Sequence, residues 1–151
     1  MTFGVFDVVR DRQITKKNTS KENGRGKIRV IKARNITDDG SLVSIDDYDT
    51  WIAEKTVRGL AIAKYIGDET VYLSPNMTYN PRVIRNSGDF VPDGSVAVLI
   101  PKQKMNLTAE QMAWFSSDEY RRFYAIARNF STQSINIDKT SVFFFGVPSH
   151  D

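Results

Sequence analysis

Cysteine is absent from this chain of 151 residues, and the single histidine, His150, stands next to the C-terminal residue. A disulfide framework, a thiolate zinc site and a cysteine nucleophile are therefore excluded, and a histidine-based triad or multi-histidine metal site is not expected. Long apolar runs are also missing, since no stretch approaches about 18 uninterrupted apolar residues. The first residues lack the pattern of a signal peptide. We therefore expect a cytoplasmic protein with no membrane partner.

The overall composition is that of an ordinary folded protein. Hydrophobic residues make up 40% of the chain and charged residues 26%, which is close to the average for soluble domains and excludes wholesale disorder. A chain of this length buries enough surface to fold without disulfides or metals. The sequence shows no internal repeat and no low-complexity segment, so we expect one domain over residues 1–151.

Strand and helix patterns are mixed along the chain. Runs rich in β-branched and aromatic residues predict strands at 1–9, 28–31, 70–73, 95–100 and 142–147. A turn signal at 38–41 predicts a hairpin that returns over 42–45, and apolar spacing predicts a helix over 48–66. Two capping boxes, Thr108 with Gln111 and Ser116 with Glu119, predict two further helices. The expected fold class is α+β: a single compact domain with a mixed or antiparallel sheet, loops and two C-terminal helices.

Positive charge is concentrated near the N-terminus. Residues 10–34 hold ten Lys and Arg against two acidic residues. Within this stretch, residues 10–26 offer almost nothing to bury, which predicts a mobile basic loop. A stretch of this density suits a polyanion, although a solvated surface loop has a similar composition. The candidate phosphate-binding residues here are Lys16, Lys17, Lys21, Arg25 and Arg34.

A second candidate is the polar segment Pro-Asn-Met-Thr-Tyr-Asn-Pro-Arg at residues 75–82. Two prolines restrict its backbone, and the residues between them carry amide and hydroxyl groups, which are suited to phosphates and base edges. The alternative is a turn-rich connector with a packed tyrosine. The candidate residues are Asn76, Thr78, Tyr79, Asn80 and Arg82.

A third candidate is the polar stretch at residues 128–138, which follows a predicted helix with arginines on its outer side. Gln and Asn can bind adenine through two hydrogen bonds, Arg can bind guanine, and Ser and Thr can reach phosphates. The alternative is an ordinary connection between a helix and a strand. The candidate residues are Arg128, Ser131, Thr132, Gln133 and Asn136.

Signatures of catalysis are mostly missing. No glycine-rich phosphate loop occurs, and no lysine is preceded at two residues by an acidic residue, as in a common metal-dependent nuclease core. Asp46, Asp47 and Asp49 could hold a divalent ion, but neighbouring carboxylates of this kind more often precede a helix. A small metal-dependent nuclease therefore remains one alternative for the function, and a protein-interaction module with exposed aromatic helices remains another.

The order of several segments resembles the C-terminal target-recognition region of adenine-specific DNA methyltransferases from restriction–modification systems. These segments are the polar run at 75–82, the run Gly-Ser-Val-Ala-Val-Leu-Ile-Pro at 94–101, the aromatic run at 114–124 and the polar stretch at 128–138. The similarity covers about residues 27–148. The run Asn-Ile-Thr-Asp-Asp-Gly at 35–40 is also similar in style to the recognition domains of specificity subunits.

The resemblance implies a sequence-specific double-stranded DNA-recognition domain without catalytic function. Complete enzymes of this family carry an Asn/Asp-Pro-Pro-Tyr/Phe motif and a glycine-rich S-adenosylmethionine motif, and this sequence has neither. It therefore implies no catalytic residue and no cofactor in this chain, with S-adenosylmethionine bound by the parent enzyme. The implied partners are double-stranded DNA and a methyltransferase catalytic domain, in the same or a separate chain. The three sets of candidate residues given above would contact the DNA.

Overall fold

The chain folds into two β-sheets and a set of short helices, seen in a computed structural model that describes residues 3–76, 80–127, 142 and 145–147. In chain order the strands are β1 (Phe6–Val9), β2 (Thr19–Ser20), β3 (Lys27–Ile31), β4 (Thr50–Ala53), β5 (Tyr72–Pro75), β6 (Ile84–Arg85), β7 (Phe90–Pro92) and β8 (Val96–Pro101). The α-helices are α1 (Glu54–Val57), α2 (Ala109–Trp114) and α3 (Asp118–Ala127), and two 3-10 helices span Ala33–Asn35 and Ala61–Tyr65.

The strands form two four-stranded sheets. Sheet I has the order β1-β8-β5-β6 with every neighbouring pair antiparallel. Sheet II has the order β2-β4-β3-β7, in which β3 and β7 run parallel and the other pairs antiparallel. The predicted fold class is confirmed: a single α+β domain with antiparallel and mixed sheets and two helices in the C-terminal part.

Strand β8 explains how the layers pack. Its residues alternate between two hydrophobic clusters: Val96 and Val98 pack with residues of sheet II, whereas Ala97 and Leu99 pack with α2 and α3. Sheet I is therefore the middle layer, with sheet II on one face and the helices on the other. A strand covered on both faces needs apolar residues at every position, which is why the predicted strand at 95–100 has a continuous apolar run.

The two C-terminal helices begin at hydroxyl caps, as the sequence suggests. The predicted cap of α2 is confirmed, because Thr108 Oγ1 accepts a hydrogen bond from Gln111 N at 3.1 Å. The predicted cap of α3 is wrong by one residue: Ser117, not Ser116, accepts from Tyr120 N at 3.1 Å. The face of α3 with Tyr120 and Tyr124 is buried against sheet I, and burial raises the pKa of the Tyr120 hydroxyl.

The predicted helix over 48–66 is wrong. The chain there forms β4, the one-turn helix α1 and the 3-10 helix Ala61–Tyr65. Trp51 and Ile52, assigned to a helix by their spacing, pair instead with β2 and β3. Both residues favour extended backbone, and pairing with two neighbouring strands outweighs an apolar spacing already weakened by Gly59.

The predicted hairpin at 42–45 is reduced to a single bridge between Ile36 and Leu42 among the described residues. The predicted strand at 142–147 lies partly outside those residues; within the described part, Val142 and Phe145 are buried against the helices. Across the described ranges, none of the helices combines the length and the apolar character needed to cross a bilayer.

Candidate functional site

The basic loop at 10–26 is folded back on itself by short polar side chains. The Asp11 carboxylate accepts hydrogen bonds from the backbone of Gln13 and Ile14 at 3.1 and 2.7 Å. Asn18 Oδ1 accepts from Thr15 N at 2.8 Å, and strand β2 then pairs with β4. Each of these contacts shapes the backbone on either side of Lys16 and Lys17, which are exposed. The loop therefore presents its lysines from a defined backbone conformation.

The start of the loop lies close to the turn that joins β7 to β8. A Cβ atom built on Gly94 would lie 2.5 Å from the backbone oxygen of Asp11. Any side chain at this position would collide with the loop, since real Cβ atoms do not approach backbone oxygens so closely. Glycine at 94 thus allows the start of the loop to lie directly against the turn between β7 and β8.

An open cleft of about 650 Å³ lies between this loop and sheet II. Ile14 and Val30 contribute apolar surface, and Lys16, Lys21 and Lys32 contribute positive charge. Two carboxylates, those of Asp47 and Asp93, also line the cleft, together with Tyr48 and several hydroxyl groups. Two of the predicted phosphate-binding residues, Lys16 and Lys21, are therefore brought together at one concave surface.

Tyr48 holds two cations at the edge of the cleft. The Lys32 ammonium donates a hydrogen bond to the Tyr48 backbone oxygen and lies 3.9 Å from the centre of its ring. The Arg34 guanidinium carbon lies 4.8 Å from the same ring centre, and Arg34 N lies 3.3 Å from the Tyr48 hydroxyl oxygen, to which it donates. Cation–π attraction thus keeps two like charges close to each other.

The charge on Lys32 is destabilised by its surroundings. Burial lowers the pKa of its ammonium most strongly, and the charges of Lys21 and Arg34 lower it further, while Asp93 and Asp49 act in the opposite direction. Burial likewise raises the pKa of the Tyr48 hydroxyl, which stays neutral. An anion bound near Lys32 would therefore favour its charged form.

The turn that presents Lys32 and Arg34 is fixed by a buried polar network. Asn35 Nδ2 donates to Asp49 Oδ1 at 2.6 Å and to the Val43 backbone oxygen at 3.1 Å. The other oxygen of Asp49 accepts from Ile45 N at 3.0 Å and lies 3.7 Å from the Arg29 guanidinium. The network ties the segment that ends in Tyr48 to the end of β3.

The same network includes Asp49, one of the three aspartates that the sequence offers as a metal site. Asp49 is buried and both of its oxygens accept internal hydrogen bonds, whereas Asp46 and Asp47 are exposed. Within the described ranges, no three His, Asp or Glu side chains converge in a way that could hold a metal ion. Asp49 instead works as an acceptor that shapes the loop before β4.

Arg82, a predicted base-contacting residue, is buried. Its Nε and Nη2 donate to the Ile36 backbone oxygen at 3.0 and 2.7 Å, and its Nη1 donates to the Asn80 backbone oxygen at 2.5 Å. A further bond reaches the Ala33 backbone oxygen at 3.5 Å, and the Asp38 carboxylate lies 3.6 Å from Nη1. In this conformation the guanidinium links residues 80–82 to the turn that presents Arg34.

The remaining predicted residues fall into three groups. Asn76 is buried, and its backbone N donates to the Ser95 oxygen; Asn80 is half-buried and donates to the Asp38 carboxylate at 3.5 Å. Lys17 and Arg25 are exposed but do not line the cleft. The others lie outside the described residues: Thr78, Tyr79, Arg128, Ser131, Thr132, Gln133 and Asn136.

Two cleft residues, Lys32 and Tyr48, were missed by the sequence interpretation. Lys32 belongs to the basic stretch but is not among the candidate residues, and Tyr48 stands at the start of the predicted helix over 48–66. One signal was available: Lys32 and Arg34 come just after the end of the predicted strand at 28–31, where side chains of a turn become accessible. Nothing in the sequence indicates that Tyr48 lies beside them, because the contact crosses a loop of irregular conformation.

No protein-family model matches this chain, and no curated protein matches it. The cleft, its charges and its contacts are therefore the observations on which a function rests.

Proposed function

We propose that the chain is a sequence-specific double-stranded DNA-recognition domain that works beside the catalytic domain of a restriction–modification adenine methyltransferase. The observation that supports DNA binding most directly is the collection of Lys16, Lys21 and Lys32 around one cleft, with Arg34 on its edge. Phosphate contacts by lysine and arginine supply most of the sequence-independent affinity for DNA. The order of segments that resembles methyltransferase recognition regions supports the rest of the proposal.

The proposal divides DNA contacts between two kinds of residue. Cations at the cleft, with exposed Lys17 and Arg25 beside them on the same basic loop, would contact phosphates and set the position of the domain on the duplex. Asn80 and the candidate residues outside the described ranges would contact base edges. Arg82 would support this surface from inside, since its guanidinium bonds backbone oxygens at residues 33, 36 and 80.

Selection from a pool of duplexes with a randomised central region tests the proposal. The purified chain is expected to enrich one short sequence at moderate salt, and the enriched duplex should bind more tightly than a scrambled one by at least tenfold. The chain with Lys64→Ala serves as a matched control, because Lys64 also lies over a tyrosine ring, at 5.1 Å from Tyr65, but does not line the cleft.

The outcomes separate the parts of the proposal. Enrichment of one sequence supports a recognition domain, and addition of the parent's catalytic domain should then direct methylation to an adenine within that site. Binding without enrichment would contradict sequence-specific recognition, and absence of binding at low salt would contradict DNA binding altogether.

A further inference from the structure

The turn at residues 32–35 is held from three sides, so that its two cations occupy defined positions. Ala33 N donates to the Ser95 hydroxyl at 2.9 Å, and Lys32 N donates to Asn35 Oδ1 at 3.0 Å. Arg82 Nη2 binds the Ala33 oxygen from the other side. Because the backbone of this turn is fixed before any ligand arrives, less conformational freedom is lost on binding than in a mobile turn.

Tyr48 is the residue that keeps the two cations together. Its backbone oxygen and ring both contact the Lys32 ammonium, while its ring and hydroxyl contact Arg34 through the guanidinium and the backbone N. Without the ring, two positive charges at neighbouring positions of one turn would repel each other and move towards water. The ring thus replaces part of the hydration that Lys32 loses.

The nearby carboxylates do not fully neutralise this cluster. Asp93 Oδ1 accepts from Ser95 N and from the Ser95 hydroxyl at 2.9 and 2.5 Å. Both oxygens of Asp49 accept internal hydrogen bonds, and Asp47 is an exposed residue of the cleft wall. Lysines 16 and 21 add two more cations to the cleft. Around Lys32, the charges of Lys21, Lys32 and Arg34 stand against those of Asp49 and Asp93, so one positive charge is left over.

We infer that this cluster is a binding site for a single phosphate group, with Lys21, Lys32 and Arg34 as its ligands and Tyr48 as the positioning residue. The inference rests on the proposed function in one respect, since the phosphate is taken to belong to the backbone of bound DNA. A cleft of about 650 Å³ that is open to solvent has room for a backbone phosphate and the sugars on either side. A guanidinium offers paired hydrogen bonds to phosphate oxygens, and ammonium groups supply compact charge.

A methylphosphonate scan of the selected duplex tests the site. Each phosphate is replaced in turn by the neutral methylphosphonate, and the affinity is measured for the wild-type chain and for Lys32→Met, Tyr48→Leu, Tyr48→Phe and Lys64→Ala. For the wild-type chain, methylphosphonate at one position or at two adjacent positions is expected to lower the affinity for the duplex roughly tenfold or more. The same replacements should cost Lys32→Met clearly less affinity, because one of the three cations that contact this phosphate is already missing.

The tyrosine variants distinguish positioning from general structural support. Tyr48→Leu should lose the position-specific penalty, whereas Tyr48→Phe, which keeps the ring, should retain most of it. Lys64→Ala should show the wild-type pattern. Urea unfolding of each variant establishes that it is folded, and Lys32→Met keeps the test decisive if Tyr48→Leu does not fold. Penalties spread evenly over all positions, or unchanged in Lys32→Met, would overturn the phosphate site while leaving DNA recognition intact.

A second probe tests the site without DNA. Inorganic phosphate is added to the labelled chain, and the NMR signals of the Lys32 ε-methylene group and the Tyr48 ring are followed. Saturable shifts of both signals in the wild type, with the shift of the Tyr48 ring weakened in Lys32→Met, support the site, even if the chain binds no DNA and the proposed function fails. Absence of shifts together with a featureless scan overturns the inference.

Discussion

The guanidinium of Arg82 joins three parts of the backbone through hydrogen bonds to their carbonyl oxygens. Its side chain is 8% exposed, and it donates to backbone oxygens of Ala33, Ile36 and Asn80. The exposed Asp38 carboxylate adds an ion pair at 3.6 Å. Arg82 contributes to the fold whatever else it does, because its removal takes both guanidinium donors from the buried Ile36 oxygen.

We expect Arg82→Ala to lower the free energy of unfolding by roughly 2–4 kcal/mol, since it removes the donors of the buried Ile36 oxygen, the part-buried bonds to Ala33 and Asn80, and the ion pair with Asp38. Urea denaturation measures the change. Arg58→Ala is the control: Arg58 makes an exposed ion pair with Glu54 at 3.2 Å, which should contribute less than about 1 kcal/mol. Equal stability of wild type and Arg82→Ala, with an altered sequence preference, would restore Arg82 as a base-contacting residue.

Lys32 gives the cleft a dependence on pH. Its pKa in the folded chain is lowered by burial and by Lys21 and Arg34. The folded state therefore binds the Lys32 proton more weakly than the unfolded state does. The charged ammonium destabilises the fold below the lowered pKa, and the free energy of unfolding rises as pH increases from that pKa towards the ordinary lysine value. A phosphate bound beside Lys32 would restore the proton, so DNA binding should be accompanied by proton uptake in that window.

The expected result is a fall in DNA affinity as pH rises through the lowered pKa of Lys32. Lys32→Arg should remove this part of the fall, because its guanidinium stays charged throughout. Tyr48 remains neutral in this range, since burial raises its pKa. Anisotropy titrations of the same duplex at a series of pH values measure the difference between the two chains. Parallel curves for wild type and Lys32→Arg would exclude Lys32 from the binding site.

At the scale of single elements, the start of α3 depends on one hydroxyl. Ser117 Oγ accepts from Tyr120 N at 3.1 Å and donates to the Trp114 oxygen at 2.6 Å, so it joins the end of α2 to the first turn of α3. The neighbouring Ser116 makes only a backbone hydrogen bond to Ala113 among its described contacts.

Ser117→Ala should therefore lower the free energy of unfolding by about 1 kcal/mol, the usual cost of losing an N-cap. Ser116→Ala, identical in chemistry and adjacent in sequence, should leave it within about 0.5 kcal/mol of wild type. Thermal or urea unfolding of the two variants measures both values. A larger loss in Ser116→Ala than in Ser117→Ala would mean that the helix begins one residue earlier than described.

Elements with strong local signals could be predicted, and those decided by distant pairing could not. The apolar run of β8 and the Thr108 cap each have a local physical cause, and both were predicted from the sequence. Apolar spacing predicts a helix where the structure has β4, because the pairing of β4 with β2 and β3 is a tertiary interaction that overrides local spacing. Charge density predicts Lys16 and Lys21 of the candidate site, whereas the contact between Tyr48 and Lys32 depends on the Asn35–Asp49 network.

At the scale of the whole molecule, the layers separate two surfaces. One hydrophobic cluster lies between sheet I and the helices, and the other lies between sheet I and sheet II. The basic loop supplies β2, an edge strand of sheet II, and among the described residues the cleft lining includes none from α2, α3 or the strands of sheet I. The proposed phosphate contacts and the C-terminal helices therefore belong to different layers of one domain, and a partner domain could pack on the helices without covering the cleft.

The dependence of DNA affinity on salt tests the central claim most directly. The wild-type chain is compared with Lys16→Ala/Lys21→Ala/Lys32→Ala and with a variant of equal charge, Lys55→Ala/Lys64→Ala/Lys104→Ala, whose lysines do not line the cleft. Each lost phosphate contact lowers the slope of log affinity against log salt by about one unit. The cleft variant should lose roughly one to two units of slope, because Lys21 and Lys32 share one phosphate that Arg34 still contacts. The control variant should keep the wild-type slope. Equal slopes in the two variants would contradict binding of DNA through this cleft.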